Sequence, residues 1–313
     1  MKAKAIRSWV YKNTWIWAFL GAVVIWFAIS VMAGGLSIKT LFMNATLATF
    51  TFMLGISEML VITSGNGAID LSVTYTLTLS AYVAAAWFRD GRALYGVLII
   101  VGLCVLIGLF NGIINVYLRV HAMIGTLAVG YILFTVILLY SQHSTKAPSI
   151  QFSRFVQTQF GGFSLLTIFC ILFVVLLSIV MYKTRFGKRL HALGQGHRAA
   201  YLSGIRVNKM LIVSFIASSL IAGLTGILLG AYVGGSYQSM GDTYQTPAIA
   251  AAMVGGTMVS GGKSSVLGTF FGAIMLTLLS TFLNLTGLSA GWQNVIEGVI
   301  IILLLLAAKP TKD

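Results

Sequence analysis

The chain has 313 residues, of which 58% are hydrophobic and only 8% are charged, whereas a soluble domain has roughly 25% charged residues. This composition excludes an ordinary soluble protein and predicts an integral membrane protein. The net charge of +14 does not indicate a nucleic-acid partner, because the basic residues stand in short loops beside apolar runs and form no basic face.

Ten apolar runs predict membrane-spanning helices, which need about 17–25 residues each. In chain order they are Trp15–Met32, Leu41–Thr63, Leu71–Phe88, Ala93–Leu118, Ala122–Tyr140, Phe163–Tyr182, Met210–Val233, Thr246–Val259, Val266–Leu285 and Trp292–Ala308. The third begins with polar residues and the eighth is short. The first is kept as a span because no small-residue cleavage site of a signal peptide is evident. The predicted fold class is therefore an all-α polytopic membrane protein, with residues 1–313 as a single transmembrane domain.

Ten spans place both termini on the same side of the membrane, and the basic residues indicate which side. With the termini in the cytoplasm, fifteen of the 20 Lys and Arg residues lie inside and five outside, namely Lys39, Arg89, Arg92, Lys146 and Arg154. Cytoplasmic loops carry an excess of Lys and Arg, so we expect both termini to be cytoplasmic.

Two loops are long enough to have a role of their own. The longer inside loop, 183–209, carries seven basic residues and contains a helix-capable stretch, 197–203, that ends at Gly204, a residue favoured just past a helix C-terminus. The longer outside loop, 141–162, is polar and rich in Gln. It has the composition of a lid or a partner-docking segment, or of a plain connector.

Residues 62–73 read I-T-S-G-N-G-A-I-D-L-S-V and break the apolar pattern between the second and third spans. Irregular polar backbone at membrane depth is tolerated only where protein or water satisfies it. Two interpretations of Asp70 stay open: it caps the third span, or it lines a passage. Similarly, Ser72, Thr76 and Ser80 share a helix face and could offer hydroxyls to a polyol, or could bond back to their own helix carbonyls.

Two further acids lie inside predicted spans, Glu58 in the second and Glu297 in the tenth. A charge in lipid costs at least about 2.5 kcal/mol on insertion scales, so both should face protein or water. Proton coupling would need a relay partner, and no His or second acid recurs three or four positions from either. A protonated or locally hydrogen-bonded structural acid is the simpler interpretation.

Two small-residue motifs suggest an internal repeat. Gly108–Gly112 in the fourth span and Gly268–Gly272 in the ninth are helix-packing signatures, and each follows an interrupted or short segment. Under the predicted topology these segments face opposite sides, so spans 2–5 and 7–10 would form an inverted repeat. Broken segments at matching places in inverted halves are the best sequence pointer to a transport site. Packing without repetition is the alternative.

No catalytic constellation is found, so the chain is not expected to be an enzyme. Residues 255–264 resemble a phosphate-binding loop, but the glycine spacing is wrong and an apolar helix, not a strand, precedes them. The four His and six acidic residues are too scattered for a metal cluster, and no metal or cofactor is predicted. Cys104 and Cys170 lie inside apolar runs and offer no disulfide framework.

Several segments of the sequence, taken together, resemble the conserved motifs of one family. Residues 67–73 resemble the G-I-D-L-S-V-G signature of ribose-type ABC importer permeases, the sugar branch of a family that also serves branched-chain amino acids and nucleosides. Residues 185–194 and 199–205 look like the family's cytoplasmic coupling segment. Residues 248–257 continue into 261–269 as in its A-I-A-A-x-x-x-G-G-T-x-x-x-G-G row. Order and spacing hold from about residue 40 to 308.

The sequence departs from the family's pattern at two places. The usual T-G-G-I-D-L-S-V-G row is widened between Thr63 and Thr74, and Thr74 replaces a Gly. At the start of the coupling helix, where the family often carries Asn with Glu or Pro, the chain has Gln-Gly-His-Arg at 195–198. The first departure bears on the substrate and the second on the ATPase partner.

The resemblance implies an ATP-driven importer in the bacterial cytoplasmic (inner) membrane. Its implied partners are two cytoplasmic ATP-binding cassette subunits, a periplasmic or extracellular solute-binding protein and a second permease subunit, which is the same or a related chain. ATP hydrolysis would occur on the separate subunits. The residues expected to couple to the ATPase are Gly194, His197, Arg198, Ala199, Ala200, Ser203, Gly204 and Ile205.

The expected function is inward transport of a sugar or sugar-like polar solute by alternating access. A stand-alone secondary transporter or facilitator is the alternative, although no ion site or proton relay is evident; a non-transporting scaffold would leave the broken polar segments unexplained. Polar groups in or beside spans are the candidates for the substrate passage, and they are Asn66, Asp70, Ser72, Asn111, Asn115, Gln245, Asn294 and Glu58.

Overall fold

The computed structural model describes residues 15–35, 38–143, 147–161 and 163–307. Within these ranges the chain forms thirteen helices and one short hairpin, in which β1 (Gln159–Phe160) pairs antiparallel with β2 (Phe163–Ser164). The helices are α1 (Trp15–Met32), α2 (Ile38–Thr63), α3 (Val73–Arg89), α4 (Ala93–Val116), α5 (Ala122–His143), α6 (Ile150–Val156), α7 (Leu165–Lys183), α8 (Arg185–Gln195), α9 (His197–Leu202), α10 (Val207–Val233), α11 (Asp242–Val254), α12 (Val266–Leu285) and α13 (Ala290–Ala307).

Each of the ten predicted spans coincides with one helix, and their ends differ by a few residues. Seven of these helices, α1, α2, α4, α5, α7, α10 and α12, are long and apolar enough to cross a membrane. The chain is therefore an all-α polytopic membrane protein. Because α3 has 17 residues and α11 only 13, and the described apolar stretch of α13 is short, crossing by these three helices stays a prediction. Both chain termini lie outside the described residues.

Helices α2 and α10 form the centre of the bundle. α2 is buried continuously from Ala48 to Thr63. It packs against α10, α11 and α12, while α10 packs against α2, α3 and α4. A helix enclosed by other helices has little lipid-facing surface, so it can carry polar side chains that lipid would not accept.

One glycine on each central helix permits close contact with two neighbours. Gly55 of α2 faces α11 and α12, where a Cβ would come within 3.2 Å of the Ala248 carbonyl oxygen and 3.0 Å of the Thr269 side chain. Gly223 of α10 lies in the same way between α3 and Cys104 of α4. Small residues at such crossings let helix backbones approach closely.

Both predicted small-residue motifs are helix contacts. In α4, Gly108 and Gly112 lie against α10, and a Cβ on Gly108 would come within 2.7 Å of the backbone nitrogen of Ile216. In α12, Gly268 and Gly272 lie against the backbone of α11. The packing role predicted for these motifs is confirmed.

Loop contacts group the connections at two ends of the bundle. At one end, the Gly262 N–H donates to the Thr63 carbonyl at 3.0 Å, and Gly194 lies against both residues. At the other end, Gln238 Nε2 donates to Ser141 Oγ at 2.8 Å. These contacts agree with the grouping that the predicted topology gives, with 64–70, 183–209 and 260–265 at one end and 141–162 and 234–245 at the other.

Candidate functional site

The segment between α2 and α3 turns back into the bundle. Gly65, Asn66 and Gly67 have φ values of +98°, +56° and +64°, in the left-handed region that Gly and Asn tolerate best. After this turn the chain is buried again, and Asp70 has no exposed surface. The broken row in the sequence is therefore a re-entrant turn whose polar end reaches the interior.

A group of buried polar side chains surrounds the end of this turn, between α2, α4 and α10. We call it the polar cluster; each member is at most 1% exposed, and the members are Ser57, Glu58, Asp70, Ser72, Asn111 and Ser218. Buried polar groups are costly unless they are hydrogen-bonded, so the bonds within the cluster determine its role.

Asp70 is the main acceptor of the polar cluster. Its Oδ1 accepts from the Ser72 backbone N–H at 3.1 Å and from Ser72 Oγ at 2.6 Å, and its Oδ2 accepts from Ser218 Oγ at 3.3 Å. Asn111 Nδ2 lies 2.8 Å from Ser72 Oγ and 3.4 Å from Asp70 Oδ1. The Ser72 bonds close a local turn just before α3, whose N-cap is Ser72, so the Asp70 carboxylate holds the entry to the helix and makes no bond to an N–H within the described helix.

Glu58 holds the other side of the turn. Its Oε2 accepts from the Asp70 backbone N–H at 3.2 Å, and the neighbouring Ser57 donates to the backbone carbonyl of Ser218. Among the described residues, Glu58 Oε1 and the buried Oδ1 of Asn111 have no hydrogen-bond partner. The polar cluster thus has two unused acceptors, which can receive an O–H or N–H donor from water or from a solute.

Four of the predicted passage residues, Glu58, Asp70, Ser72 and Asn111, are brought together in the polar cluster. They are enclosed by the chain rather than open to a channel. A lining role would require the cluster to open, and it stays a prediction.

A second group of polar contacts joins the N-terminal parts of the two short helices, α3 and α11. Thr74 Oγ1 donates to Gln245 Oε1 at 2.6 Å, and the Gly241 backbone N–H donates to Thr78 Oγ1 at 3.2 Å. Gln245 Nε2 has no hydrogen-bond partner within the described chain. The predicted residue Gln245 therefore lies where the two short helices begin side by side.

The predicted hydroxyl face of α3 is directed into the protein. Thr76 Oγ1 donates to the Ser72 carbonyl at 2.9 Å, so the alternative of bonding back to its own helix applies to Thr76. Ser80 is buried, with its Oγ 3.9 Å from the sulfur of Cys104. Neither hydroxyl is presented to an open cavity.

The other predicted passage residues lie apart from the polar cluster. Asn115 Nδ2 donates to the Val120 carbonyl at 3.2 Å and ties down the loop after α4. Asn294 is exposed on α13, and Glu297 is half-buried there with no partner for its Oε1 among the described residues. Asn66 is exposed at the tip of the re-entrant turn.

Segment 183–209 is attached to the re-entrant turn by His197. The His197 Nε2 lies 2.9 Å from the Ser64 carbonyl oxygen, and its Nδ1 lies 3.3 Å from Asn66 Nδ2. Gly194, at the end of α8, packs against the Thr63 carbonyl and the Gly262 backbone, where no Cβ would fit. Two of the predicted coupling residues therefore make intramolecular contacts with the re-entrant turn after α2 and with the loop between α11 and α12.

The predicted helix over 197–203 is confirmed as α9, and its end has the geometry of a Schellman motif. The Gly204 and Ile205 N–H groups donate to the carbonyls of Tyr201 and Ala200, at 2.9 Å and 3.0 Å, and Gly204 has a φ of +79°. The sequence therefore located correctly both the helix and the residue that stops it.

The side-chain directions on α9 divide the residues that were expected to couple to the ATPase. Ala200 is 3% exposed and belongs to the protein's own core, so it is turned away from any partner. Tyr201 and Leu202 are 70% and 78% exposed. The predicted residues Arg198, Ala199, Ser203 and Gly204 are exposed beside them. Ala200 was expected to couple to the ATPase, but its small side chain packs against this chain instead.

Besides Ser57 of the polar cluster, two residues that sequence reasoning missed complete the site. Ser218 of α10 reaches Asp70, and Thr126 Oγ1 of α5 accepts from the Leu71 backbone N–H at 2.9 Å. The only available signal for Ser218 is a row of hydroxyls four apart on an otherwise apolar helix, with Ser214 one turn earlier. Thr126 stands alone in an apolar run, and nothing in the sequence links it to the turn.

Comparison with known proteins identifies the family. The model of the family described as the permease component of the branched-chain amino acid transport system matches residues 40–305. The chain belongs to this family. The permease is similar to the ribose import permease protein RbsC of Escherichia coli, with 34% identity over 79% of the chain and 78% of the relative. It is also similar to the galactose/methyl galactoside import permease protein MglC of Haemophilus influenzae, with 31% identity over 80% of each.

Family membership agrees with the architecture. With its seven apolar spans, the permease is a multi-pass protein of the inner membrane. The ribose import permease of Bacillus subtilis matches it at 30% identity over 77% of the chain, so the likeness to sugar importers is not limited to one relative. A transport-system component is favoured over a stand-alone transporter, as the sequence predicted.

Proposed function

We propose that the chain is the permease subunit of an ATP-driven importer for a sugar or sugar-like polar solute. The observation that carries the proposal is the attachment of segment 183–209 to two loops, to the re-entrant turn through His197 and to the Gly262 loop through Gly194, and these loops belong to the two proposed repeats. A segment that touches both halves can transmit an external movement to both at once. The relatives named as ribose and galactose permeases support a sugar as the solute.

Energy would come from two ATP-binding cassette subunits on the cytoplasmic side. Their contact surface is proposed to be the exposed face of α9, with Tyr201 and Leu202 as apolar anchors and Arg198 beside them. Exposed aromatic and aliphatic side chains on a six-residue helix are costly in water and are suited to a partner's groove. Gly194, His197, Ala200 and Ile205 would hold the segment in position rather than meet the ATPase.

An inverted repeat of α2–α5 and α10–α13 is proposed as the basis of alternating access. The helix contacts support it: α2 packs on α11 and α12, whereas α10 packs on α3 and α4. The glycines Gly55 and Gly223 occupy matching places at these crossings. Rocking of one repeat against the other around a central site is a common transport mechanism. Ten spans with both termini in the cytoplasm complete this proposal.

The substrate passage is proposed to run beside the first turns of α3 and α11, next to a second permease subunit. Gln245 is the best-placed candidate, because it is half-buried and its Nε2 has no partner among the described residues. The polar cluster would then position the start of α3 and contribute acceptors only when it opens. A solute-binding protein outside the cell would deliver the sugar to this path.

The test is reconstitution of the permease in proteoliposomes with its ATPase and solute-binding protein. Labelled ribose and galactose are supplied with the binding protein, and uptake is measured with ATP and with a non-hydrolysable analogue. Uptake that needs ATP and the ATPase supports the proposal. Equal uptake by the permease alone would support a facilitator, and ATP-driven uptake of another solute class would overturn the sugar assignment only.

A further inference from the structure

A groove of about 630 Å³ lies between the C-terminal end of α4, α9 and the first turns of α10. We call it the basic groove; the lining residues that the argument uses are Tyr117, Arg206, Lys209, Ile212 and Ile216, and Tyr201 borders it on the side of the proposed ATPase surface. Arg206 and Lys209 are exposed, and no acidic residue is among the lining residues.

The lining changes from charged to apolar along α10. Lys209, Ile212 and Ile216 follow each other at spacings of three and four residues, so they share one helix face. Seven residues of helix rise about 10 Å, so the basic end and the Ile216 end are separated by about the depth from a lipid phosphate to the upper acyl chain. Tyr117, 65% exposed, adds the amphipathic ring found at membrane–water interfaces.

We propose that the basic groove is a binding site for an anionic phospholipid of the cytoplasmic leaflet. Arg206 and Lys209 would contact the phosphate group, and Ile212 with Ile216 would contact the start of an acyl chain. Basic pockets between transmembrane helices on the cytoplasmic side are suited to such headgroups. The inference goes beyond the transport proposal and does not depend on the solute; it depends only on the cytoplasmic placement of segment 183–209.

The groove is less suited to a protein occupant. A soluble ATPase subunit can reach the Arg206 end but not Ile216, because Ile216 lies ten residues inside a helix long and apolar enough to span the membrane. A second copy of the chain offers few carboxylates to meet the basic residues. Of the six acids, Glu58 and Asp70 are buried, two belong to the loops of the opposite end, and two lie in or after α13.

The test is retention of phosphatidylglycerol by the full-length permease in detergent, measured by native mass spectrometry. Phosphatidylcholine serves as the zwitterionic comparison, and deacylated glycerophosphoglycerol and inorganic phosphate serve as headgroup probes. We expect preferential retention of diacyl phosphatidylglycerol. The double variant Arg206→Gln with Lys209→Gln should weaken it about thirtyfold, since each basic residue near an anionic lipid contributes a factor of about five.

The matched control is Lys188→Gln with Arg189→Gln, which removes the same charge from exposed positions of α8 in the same segment. It should keep the phosphatidylglycerol preference. Equal loss in both double variants, or equal retention of the two lipids by the unmodified permease, would overturn the proposal. Displacement of the lipid when the ATPase subunits are added would assign the groove to that partner instead, and binding of glycerophosphoglycerol alone would exclude an acyl-chain contact.

Discussion

His197 and Asn66 are 131 positions apart in the chain, and their side chains join α9 to the re-entrant turn at an Nδ1–Nδ2 distance of 3.3 Å. For both His197 contacts to be hydrogen bonds, Nε2 must carry the proton and donate to the Ser64 carbonyl, while Nδ1 accepts from the Asn66 amide. Both residues fall in the two rows where this sequence departs from the family pattern. Residues of the two departing rows are therefore in contact with each other in the structure.

Replacing His197 with Ala should uncouple ATP hydrolysis from transport. Loss of both contacts removes about 1 kcal/mol per hydrogen bond, or about 2 kcal/mol together, so we expect the ratio of ATP hydrolysed to solute transported to rise by up to about thirtyfold in proteoliposomes. His197→Gln should restore part of the coupling, because an amide can both donate and accept. The control is His121→Ala, at an exposed position. A proportional fall of both activities would mean that the contact serves assembly, not coupling.

Gly194 should tolerate no side chain, whereas the nearby Gly196 should tolerate one. A Cβ on Gly194 would collide with the Thr63 carbonyl and the Gly262 backbone, while one on Gly196 would meet only the Ala199 Cβ at 3.9 Å. Overpacking costs about 1–3 kcal/mol. We expect Gly194→Ala to lower the melting temperature of the purified permease by several degrees and Gly196→Ala to leave it nearly unchanged. Equal effects of the two variants would contradict the packing described here.

Asp70→Ala should reduce the amount of folded permease in the membrane. The substitution leaves the Ser72 backbone N–H and hydroxyl without their acceptor, and each buried unsatisfied group costs about 1–3 kcal/mol, whereas Ser218 can still donate to Ser57 Oγ. Asp70→Asn keeps an acceptor oxygen of the same shape and should be milder. The readout is the monodisperse fraction in size-exclusion chromatography, with the exposed Asn294→Ala as control. A fully folded Asp70→Ala variant that has lost transport would instead support the passage role.

Two substitutions on α9 should separate ATPase docking from folding. Leu202→Asp changes an exposed side chain and should abolish co-purification with the ATPase subunits while leaving the melting temperature of the permease unchanged. Ala200→Asp places a charge in the protein's own core and should lower the melting temperature itself. If Leu202→Asp still binds the ATPase normally, the docking surface lies elsewhere.

The orientation of the permease can be tested with two single-cysteine variants. Gln195→Cys and Gln151→Cys both replace exposed side chains, at the two opposite ends of the bundle. The native Cys104 and Cys170 are buried and should react little. In intact cells, a membrane-impermeant maleimide should label Gln151→Cys only. Labelling in the reverse pattern would invert the proposed topology.

The helices could be predicted from the sequence because long apolar runs and positive-inside loops act locally. The loop contacts agree with the alternation of the predicted spans, whereas the number of spans and their orientation stay predictions; the Gly204 stop followed from the residue type alone. In contrast, the polar cluster depends on contacts such as Ser218 with Asp70, which are 148 positions apart. No local pattern encodes such a contact, so Ser218 was missed even though Asp70 and Asn111 were selected.

The sequence also did not predict which side chains of a short helix face the protein. In the six residues of α9, the sequence does not say which face meets the protein, because Ala200 and Leu202 are both compatible with burial. The outcome is decided by Ala200, whose small side chain fits the core. A six-residue helix is too short to show a periodic apolar stripe, so its inward face could not be predicted.

The joint between segment 183–209 and the two halves of the bundle is made largely of glycine backbone. Gly65, Gly194, Gly261 and Gly262 contact one another there mainly through backbone atoms, and the side chains of His197 and Gln195 lie beside Gly65 and Gly262. Side chains that interlock must change rotamer before two surfaces can slide, but bare backbones need not. We therefore expect segment 183–209 to move along the surface formed by the Thr63 and Gly262 backbones, which their hydrogen bond holds together, without first repacking a core.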